Sequence, residues 1–168
     1  MKLKNLPIIL GFAVLLLTLP AAVFLLSQRQ EARVGAELSA TALAYLWPQR
    51  FELPTGQSVT LEVKIDTKGQ VAKRAEATIS FDPKFIKIED IKAATGVDLA
   101  QKALNATGGV LQLSGTGDFT AAKTLAAFKL TGLAPGPTDL TIQDAHVWDL
   151  SGQVDIFGQA MGAEVTVR

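Results

Sequence analysis

Residues 75–88 read AEATISFDPKFIKI, and this stretch decides the fold of the chain. Small or apolar side chains alternate with polar ones up to position 81, which predicts a strand with one face toward a core and one toward water. The Asp82-Pro83 pair then ends the strand, because proline has no backbone N–H and fixes φ near a turn value. A second apolar run follows, so the stretch predicts a strand, a turn and a second strand of a two-layer β architecture. The residues expected to face the core are Ala75, Ala77, Ile79 and Phe81, and the second apolar run consists of Phe85, Ile86 and Ile88.

The composition excludes several classes of protein. The 168 residues carry 16 basic and 16 acidic side chains, so no strong field attracts nucleic acid, and we expect no nucleic-acid partner. The chain has no cysteine, which excludes disulfides and thiolate metal sites. A single histidine, His146, leaves little for imidazole chemistry. The fold must therefore rest on burial and hydrogen bonds.

The amino-terminal part, residues 1–28, is predicted to be a membrane anchor. Leu6 to Leu26 is uncharged and mostly apolar, and as a helix it would span about 31 Å, which matches a hydrocarbon core of roughly 30 Å. Pro20 would kink this transmembrane helix near its outer end. The lipid bilayer is therefore the first partner that the sequence predicts.

A cleaved signal peptide is the alternative to an anchor. Such a peptide has a shorter apolar core and a cleavage site of small residues just beyond it. Val34-Gly35-Ala36 has suitable side chains for this cleavage site, but it lies far from Leu26 at the end of the apolar run. Basic residues flank the span equally, so the positive-inside rule does not orient it. We place the carboxyl-terminal part outside the cytoplasm, because a short basic start before one apolar span is typical of export signals. Residues 29–37 then form a polar stalk, and we expect a single-pass membrane protein at the cell surface.

From residue 38 onward the pattern is that of an all-β domain. Residues 58–66 alternate strictly between apolar and polar side chains and form the clearest predicted strand. In the strand around Phe128, Ala126 and Leu130 are expected on one side and Leu125 on the other. Further strands are predicted at Thr41 to Trp47 before Pro48, from Leu140, at Val147 to Leu150 and at Ala163 to Val167.

The middle of the domain has a weaker pattern. Val97 to Leu104 is interpreted as a short helical turn or a long loop. Val110 to Ser114 is predicted as a strand that Gly115 and Gly117 interrupt. Short strands that recur between glycine- and proline-rich turns favour a β-sandwich or a jelly roll.

Three motifs follow one another in this domain. Gly56-Gln57 precedes a long strand, Phe81-Asp82-Pro83 forms an aromatic-Asp-Pro turn, and Phe128-Lys129-Leu130 precedes a glycine-rich turn. In order and spacing they resemble a cohesin-type domain, a jelly-roll module of the carbohydrate-binding superfamily, over about residues 40–168. The resemblance implies a cohesin-like jelly-roll β-sandwich at residues 38–168, behind one transmembrane helix.

The resemblance also implies a partner and a surface. Cohesins bind dockerin modules through one face of the roll, and related domains bind polysaccharide or build scaffolds. The outward residues before Asp82-Pro83 fall on a strand that contributes to the dockerin face in that family. A solvated strand face without a partner is the alternative, because any half-buried strand has outward polar residues. The residues that would contact a partner are Arg74, Glu76, Thr78 and Ser80.

Trp47 and Trp148 are the candidates for a carbohydrate-binding face, and Tyr45 is the third aromatic residue that could contribute to it. Polysaccharide binding needs a flat row of exposed rings, and most phenylalanines occupy core positions or the anchor. Packing at the core or at a sheet edge is the competing role for both tryptophans.

The sequence predicts no catalytic or metal site. Glu89 and Asp90 are adjacent and would point to opposite faces of a strand, so they do not form an acid–base pair. His146 lies near Asp144 without a nucleophile motif, and a role at the solvent edge is expected. Asp149 to Asp155 has oxygen ligands at alternating positions, but it lacks the spacing of an EF-hand, which favours a tight turn over calcium. We therefore expect no metal, no cofactor and no enzymatic activity.

These observations predict a membrane-anchored extracytoplasmic module that docks a dockerin-type protein or mediates adhesion. A direct polysaccharide-binding module is the first alternative. A structural subunit of a pilus-like surface assembly is the second. Pilin helices usually carry a glutamate near the start of the apolar run, and Leu6 to Leu26 has none.

Overall fold

The computed structural model describes residues 40–168. All regular secondary structure in this part of the chain consists of β-strands. Most strands begin or end at a glycine, proline or asparagine turn, as the sequence pattern indicates. The strands are β1 (Ala42–Trp47), β2 (Arg50–Leu53), β3 (Ser58–Asp66), β4 (Ala72–Ser80), β5 (Ile86–Ala93), β6 (Val97–Asn105), β7 (Val110–Phe119), β8 (Lys123–Gly132), β9 (Gly136–Asp149), β10 (Phe157–Met161) and β11 (Ala163–Val167).

The predicted anchor and the predicted stalk, residues 1–28 and 29–37, lie outside the described residues. Across residues 40–168 no helix is both long enough and apolar enough to cross a membrane. The transmembrane helix at Leu6 to Leu26 therefore stays a prediction.

Two sheets form a β-sandwich, as the alternating pattern predicts. The order is β10-β1-β3-β8-β5 in the five-stranded sheet and β2-β11-β9-β4-β7-β6 in the six-stranded sheet. Neighbours run antiparallel, except that β1 and β10 are parallel and so are β2 and β11. The chain passes from one sheet to the other after Trp47, where Pro48 ends β1. The prediction of an all-β sandwich is confirmed.

The stretch at residues 75–88 forms β4, a turn and the start of β5. Asp82 holds the turn, because its carboxylate accepts a hydrogen bond from the Lys84 N–H at 2.9 Å and its carbonyl accepts one from Phe85. The Phe81 N–H donates to the Gly109 carbonyl at 2.8 Å, which ties the end of β4 to the β6–β7 hairpin. The side chains predicted to face the core are all buried: Ala75, Ala77, Ile79 and Phe81. In the apolar run after the turn, Ile86 and Ile88 are buried and Phe85 is half-buried.

The core lies between the two sheets and is almost wholly apolar. Phe119 and Phe128 are its largest fully buried side chains, one from each sheet. Full burial of a large apolar side chain contributes about 1.5–3 kcal/mol. A chain without cysteine relies on this burial for its stability.

The prediction of a helical turn or loop at Val97 to Leu104 is wrong, because these residues belong to β6. β6 is an edge strand whose side chains are mostly exposed on both sides, so it shows no clear alternation. The interruption predicted at Gly115 and Gly117 is also wrong, since β7 continues to Phe119. A Cβ at Gly115 would lie 2.9 Å from Leu125 Cδ1, so glycine there makes room for a core side chain.

Two bulges explain the remaining differences from the predicted strands. The β3–β8 register shifts beside Val63, and as a result Leu125 is fully buried together with its neighbour Ala126. The segments from Leu140 and from Val147 are one strand, β9, rather than two. The register of β9 against β4 shifts at Gln143, which reverses the inward and outward positions and imitates a strand end.

Candidate functional site

Four neighbouring strands of the six-stranded sheet, β6, β7, β4 and β9, present a continuous outward surface, which we call the β4 face. Side chains at even positions from 74 to 80 of β4 point outward, because those at odd positions from 75 to 79 are buried. Strand register sets the neighbours of each outward residue. The four rows of the face are Asp98, Thr116, Arg74 and Trp148; Gln101, Ser114, Glu76 and His146; Ala103, Gln112, Thr78 and Asp144; and Asn105, Val110, Ser80 and Thr141.

The residues predicted to contact a partner lie along the middle of this face. Arg74 is exposed, and Glu76, Thr78 and Ser80 are half-buried between the flanking strands. β4 is a central strand with β7 on one side and β9 on the other. A ligand on these four residues would therefore also touch side chains of both neighbours.

Arg74 packs on Trp148. The guanidinium carbon lies 4.1 Å from the centroid of the indole ring, and Arg74 Nε donates a hydrogen bond to Glu76 Oε1 at 3.0 Å. The ring on one side and the carboxylate on the other hold the guanidinium in place. Arg74 thus covers one face of the Trp148 ring, and that face is not free to stack on a sugar.

Glu76 accepts hydrogen bonds from two strands. Besides Arg74, the Ser114 hydroxyl of β7 donates to Glu76 Oε1 at 2.9 Å. Burial alone would raise the pKa of Glu76, but the hydrogen bonds from Arg74 and Ser114 outweigh it and lower the pKa. The carboxylate is therefore ionised at neutral pH.

His146 faces three carboxylates. Its Nδ1 lies 2.6 Å from Asp155 Oδ2 and its Nε2 lies 3.5 Å from Asp144 Oδ2, while Glu76 occupies the paired position on β4. The hydrogen bond to Asp155 raises the pKa of His146, and Asp144 and Glu76 add to this against a smaller effect of burial. The imidazole stacks on Trp148 with 5.3 Å between the ring centroids.

Asp155 fixes this histidine from a loop. Burial acts to raise the pKa of Asp155, but hydrogen bonds from His146 and from the Phe157 and Val147 N–H groups outweigh it, so the pKa is lowered. Both N–H groups donate to Asp155 Oδ1 at 3.0 Å. The His146–Asp155 pair is thus held rigidly at the edge of the β4 face.

The β4 face presents charged groups and hydrogen-bonding side chains to solvent. A histidine that activates a serine or cysteine nucleophile has that hydroxyl or thiol at its second nitrogen. In this structure His146 Nε2 is directed toward Asp144, a carboxylate. The carboxylates of Asp155 and Asp144 therefore stabilise a positive charge on the imidazole.

The loop from Asp149 to Asp155 is a tight turn, as predicted. The Asp149 carboxylate accepts hydrogen bonds from the Ser151 hydroxyl at 2.7 Å and from the N–H groups of Gln153 and Val154. Burial would raise the pKa of Asp149, but these hydrogen bonds outweigh it and lower the pKa. Within residues 40–168 no group of three or more side chains is arranged to hold a metal ion.

The two tryptophans proposed for carbohydrate binding lie on different sheets. Trp47 ends β1 in the five-stranded sheet and is 56% exposed, whereas Trp148 lies half-buried on β9. Tyr45 points to the same side of β1 as Trp47. The two tryptophans do not form one row, and an aromatic surface on this domain would consist of Trp47 and Tyr45.

The sandwich resembles solved cohesin modules. A cohesin module of a family 33 glycoside hydrolase from Clostridium perfringens superposes with a TM-score of 0.66 at 12% identity, over 76% of this chain and 98% of that one. The sixth cohesin of scaffoldin B from Acetivibrio cellulolyticus, solved with a dockerin, gives 0.59 at 14% identity over 76% and 99%. A non-cellulosomal cohesin from Archaeoglobus fulgidus gives 0.58 at 13% identity over 76% and 91%.

The described part of the chain has a cohesin-like fold. No family model and no curated protein matches the sequence, and identities of 12–14% to the solved modules establish likeness of fold. The resemblance seen in the three sequence motifs is confirmed at this level.

Ser114 and His146 on the β4 face, and Asp155 on the loop at its edge, are not among the site residues that the sequence predicts. The sequence pattern places Ser114 on a strand but in no site, His146 at a solvent edge and Asp155 in a turn. The signal for His146 was its alternation with Ala145 and Val147, which places it outward on the same side as Trp148. The contact of Asp155 depends on how the loop folds back, which no local pattern shows.

Proposed function

We propose that the chain is a membrane-anchored docking module whose β4 face binds a dockerin-type protein. The observation that carries this proposal is the ordered polar network of Arg74, Glu76, Ser114 and His146 at the centre of the β4 face in a cohesin-like sandwich. Side chains already fixed by their neighbours lose little conformational entropy when a partner binds. The proposal includes no catalytic activity.

Two solved neighbours support the choice of partner. One cohesin from Acetivibrio cellulolyticus and one from R. flavefaciens were solved in complexes with dockerins. The β4 face offers a dockerin the charges of Arg74, Glu76 and Asp144, with hydroxyl groups of threonine and serine around them. Such a surface fits a partner with complementary charges.

A matched pair of variants tests the docking face. Thr78→Arg places a bulky cation at the centre of the β4 face, and Thr60→Arg makes the same change on β3 in the other sheet. The full chain in detergent micelles is measured by biolayer interferometry against each dockerin-bearing protein of its own organism. We expect one of them to bind, at least tenfold more weakly to Thr78→Arg and unchanged to Thr60→Arg, where tenfold is about 1.4 kcal/mol. Absence of binding to all of them, or equal loss in both variants, rejects the proposal.

Anchoring by Leu6 to Leu26 would concentrate the module at one membrane. A tethered site raises the effective concentration of the partner, so a weak contact at the β4 face suffices for capture. With the carboxyl-terminal part outside the cytoplasm, protease added to intact cells is expected to remove the domain. Full protection of the domain would overturn this orientation.

Direct polysaccharide binding is the second candidate, and the exposure of Trp47 favours it. Tyr45 on the same side of β1 adds a second ring. If this function holds, Trp47→Ala abolishes retention of the full chain on insoluble cellulose, chitin or xylan, while Trp148→Ala leaves it intact. Retention on none of these polysaccharides, or equal loss in both variants, excludes this role for Trp47.

A further inference from the structure

One end of the sandwich carries exposed apolar side chains close to the point where residue 40 leads into β1. We call this end the tether end. Val71 is 42% exposed, Leu150 is 60% exposed and Val154 is 37% exposed. These three residues form the tether-end patch.

The three side chains of the patch are neighbours. Ala72 and Asp149 are paired across β4 and β9, so Val71 and Leu150, the next residues outward, lie side by side at the strand ends. The Asp149 N–H donates a hydrogen bond to the Val154 carbonyl at 3.0 Å, which brings Val154 back to the same place. The patch is therefore one surface contributed by two loops.

The chain joins the sandwich directly beside this patch. Gln70, which precedes Val71, donates a hydrogen bond from Nε2 to Thr41 Oγ1 at 2.8 Å. The Ala42 N–H donates to the Ile156 carbonyl at 2.9 Å, two residues after Val154. Thr41 and Ala42, at the start of the described chain, therefore lie at the same end of the sandwich as the patch.

The length of the preceding chain limits the distance between this end and a membrane. Residues 27–39 separate Leu26 from Ala40, and they reach at most about 45 Å when fully extended and roughly 20 Å as a flexible chain. β4 is nine residues long, or about 30 Å from the tether end to the far end. A tether of this length favours contact of the tether end, and not the far end, with lipid.

We propose that the tether-end patch inserts into the interface of the bilayer that the predicted anchor spans. This inference rests on the proposed anchoring. Lys68 and Lys73 flank the patch and pair with Asp66 and Asp118, so the local charges are balanced and the apolar side chains supply the attraction. Three side chains bind lipid only weakly alone, and the tether supplies the effective concentration that makes the contact persist.

This contact would orient the docking face. The strands run from the tether end to the far end. Lipid contact at the tether end would therefore hold the strands roughly perpendicular to the membrane surface, with the β4 face directed parallel to that surface. A partner protein then approaches along the membrane surface instead of from above.

Single-cysteine labelling tests the proposal, because the chain has no cysteine of its own. Leu150→Cys carries an NBD fluorophore in the patch. Leu133→Cys carries it in the β8–β9 turn at the far end, where Leu133 is 45% exposed. The full chain is reconstituted into phosphatidylcholine–phosphatidylglycerol vesicles and its insertion is checked by flotation. We expect a blue shift, loss of iodide quenching and gain of quenching by nitroxide lipids at position 150 but not at position 133.

The outcomes separate this inference from the proposed anchoring. Failure of the chain to float with the vesicles overturns both. Flotation with water-like emission at position 150 overturns only the lipid contact. A label that is shielded from iodide without quenching by nitroxide lipids shows that protein covers the patch, which also overturns the proposal. Equal lipid quenching at positions 150 and 133 excludes the tether end as the specific contact.

Discussion

Arg74 on β4 and Trp148 on β9 are paired residues, and the guanidinium carbon lies 4.1 Å from the centroid of the indole ring. The sequence predicts Arg74 as a protein-docking residue and Trp148 as a sugar-binding residue. The structure places both in one contact on the β4 face. The guanidinium thus occupies one face of the ring and leaves less of Trp148 available for stacking on a sugar.

Removal of the Arg74 side chain tests the strength of this contact. We expect Arg74→Ala to lower the free energy of unfolding by about 1 kcal/mol, because exposed cation–π contacts contribute about 0.5–1 kcal/mol and the bond to Glu76 adds a small amount. Arg50→Ala is the control, since Arg50 pairs with Glu164 in solvent without a ring, and such pairs contribute about 0–1 kcal/mol. Urea unfolding followed by circular dichroism measures both. Equal losses in the two variants would contradict a role for the ring.

Because the chain has a single histidine, His146, the contribution of imidazole titration to folding stability can be measured. The pKa of His146 is raised above its model-peptide value of about 6.5. A raised pKa in the folded state means that the contribution of His146 to stability is fully present below the unfolded pKa. It is lost as pH rises through the folded pKa. The carboxylates of Glu76 and Asp155 act oppositely, since their lowered pKa values give stability that is lost in acid.

An NMR titration of the imidazole C–H signal checks this directly. We expect Asp155→Asn to lower the pKa of His146, because the hydrogen bond to Asp155 is the largest cause of the increase. Asp139→Asn removes a carboxylate on the distal half of β9 and should leave the pKa unchanged. An unchanged pKa in Asp155→Asn would show that another group holds the proton.

The predictable part of the fold is the part fixed by local alternation. The buried positions of β4 follow from Ala75, Ala77 and Ile79, and the turn after them follows from Asp82-Pro83. The errors occur where the pairing between strands overrides the local pattern. An extra residue at Gln143 hides the continuity of β9, and β6 lies at a sheet edge where exposure on both sides removes the alternation.

Of the residues in the candidate site, only those on β4 could be predicted from the sequence as outward neighbours. The outward positions of Arg74 and Glu76 follow from strand periodicity. Their neighbours Ser114 and His146 depend on the register of β7 and β9, which bulges alter. Asp155 comes from a loop that folds back onto β9, a contact that requires the tertiary structure.

The Asp149 carboxylate is expected to hold the β9–β10 loop in place. Asp149→Ala leaves the N–H groups of Gln153 and Val154 and the Ser151 hydroxyl without this acceptor. Ser151, Gln153 and Val154 are exposed, so water can replace the lost acceptor. The net contribution of one intramolecular hydrogen bond is about 0.5–1.5 kcal/mol, and we expect a decrease of this order in the free energy of unfolding. Ser151→Ala removes one donor and should cost less. Urea unfolding compares the two variants, and an equal or larger loss for Ser151→Ala would contradict the role of Asp149 as the centre of the loop.

Gly109 connects the β6–β7 hairpin to the end of β4, and its replacement tests how firmly the Phe81 turn is fixed. Gly109 has a φ of +65°, and a Cβ there would lie 2.0 Å from the Phe81 carbonyl oxygen, a backbone atom. Gly69 has a φ of +86° with no atom within 4 Å of such a Cβ. Gly69→Ala should therefore cost only the left-handed conformation, about 1–2 kcal/mol. Gly109→Ala must also displace the Phe81 backbone, whose N–H donates to the Gly109 carbonyl. Thermal unfolding should show a clearly lower midpoint for Gly109→Ala than for Gly69→Ala. Equal midpoints would mean that the backbone at Phe81 moves to accommodate the added methyl group without loss of stability.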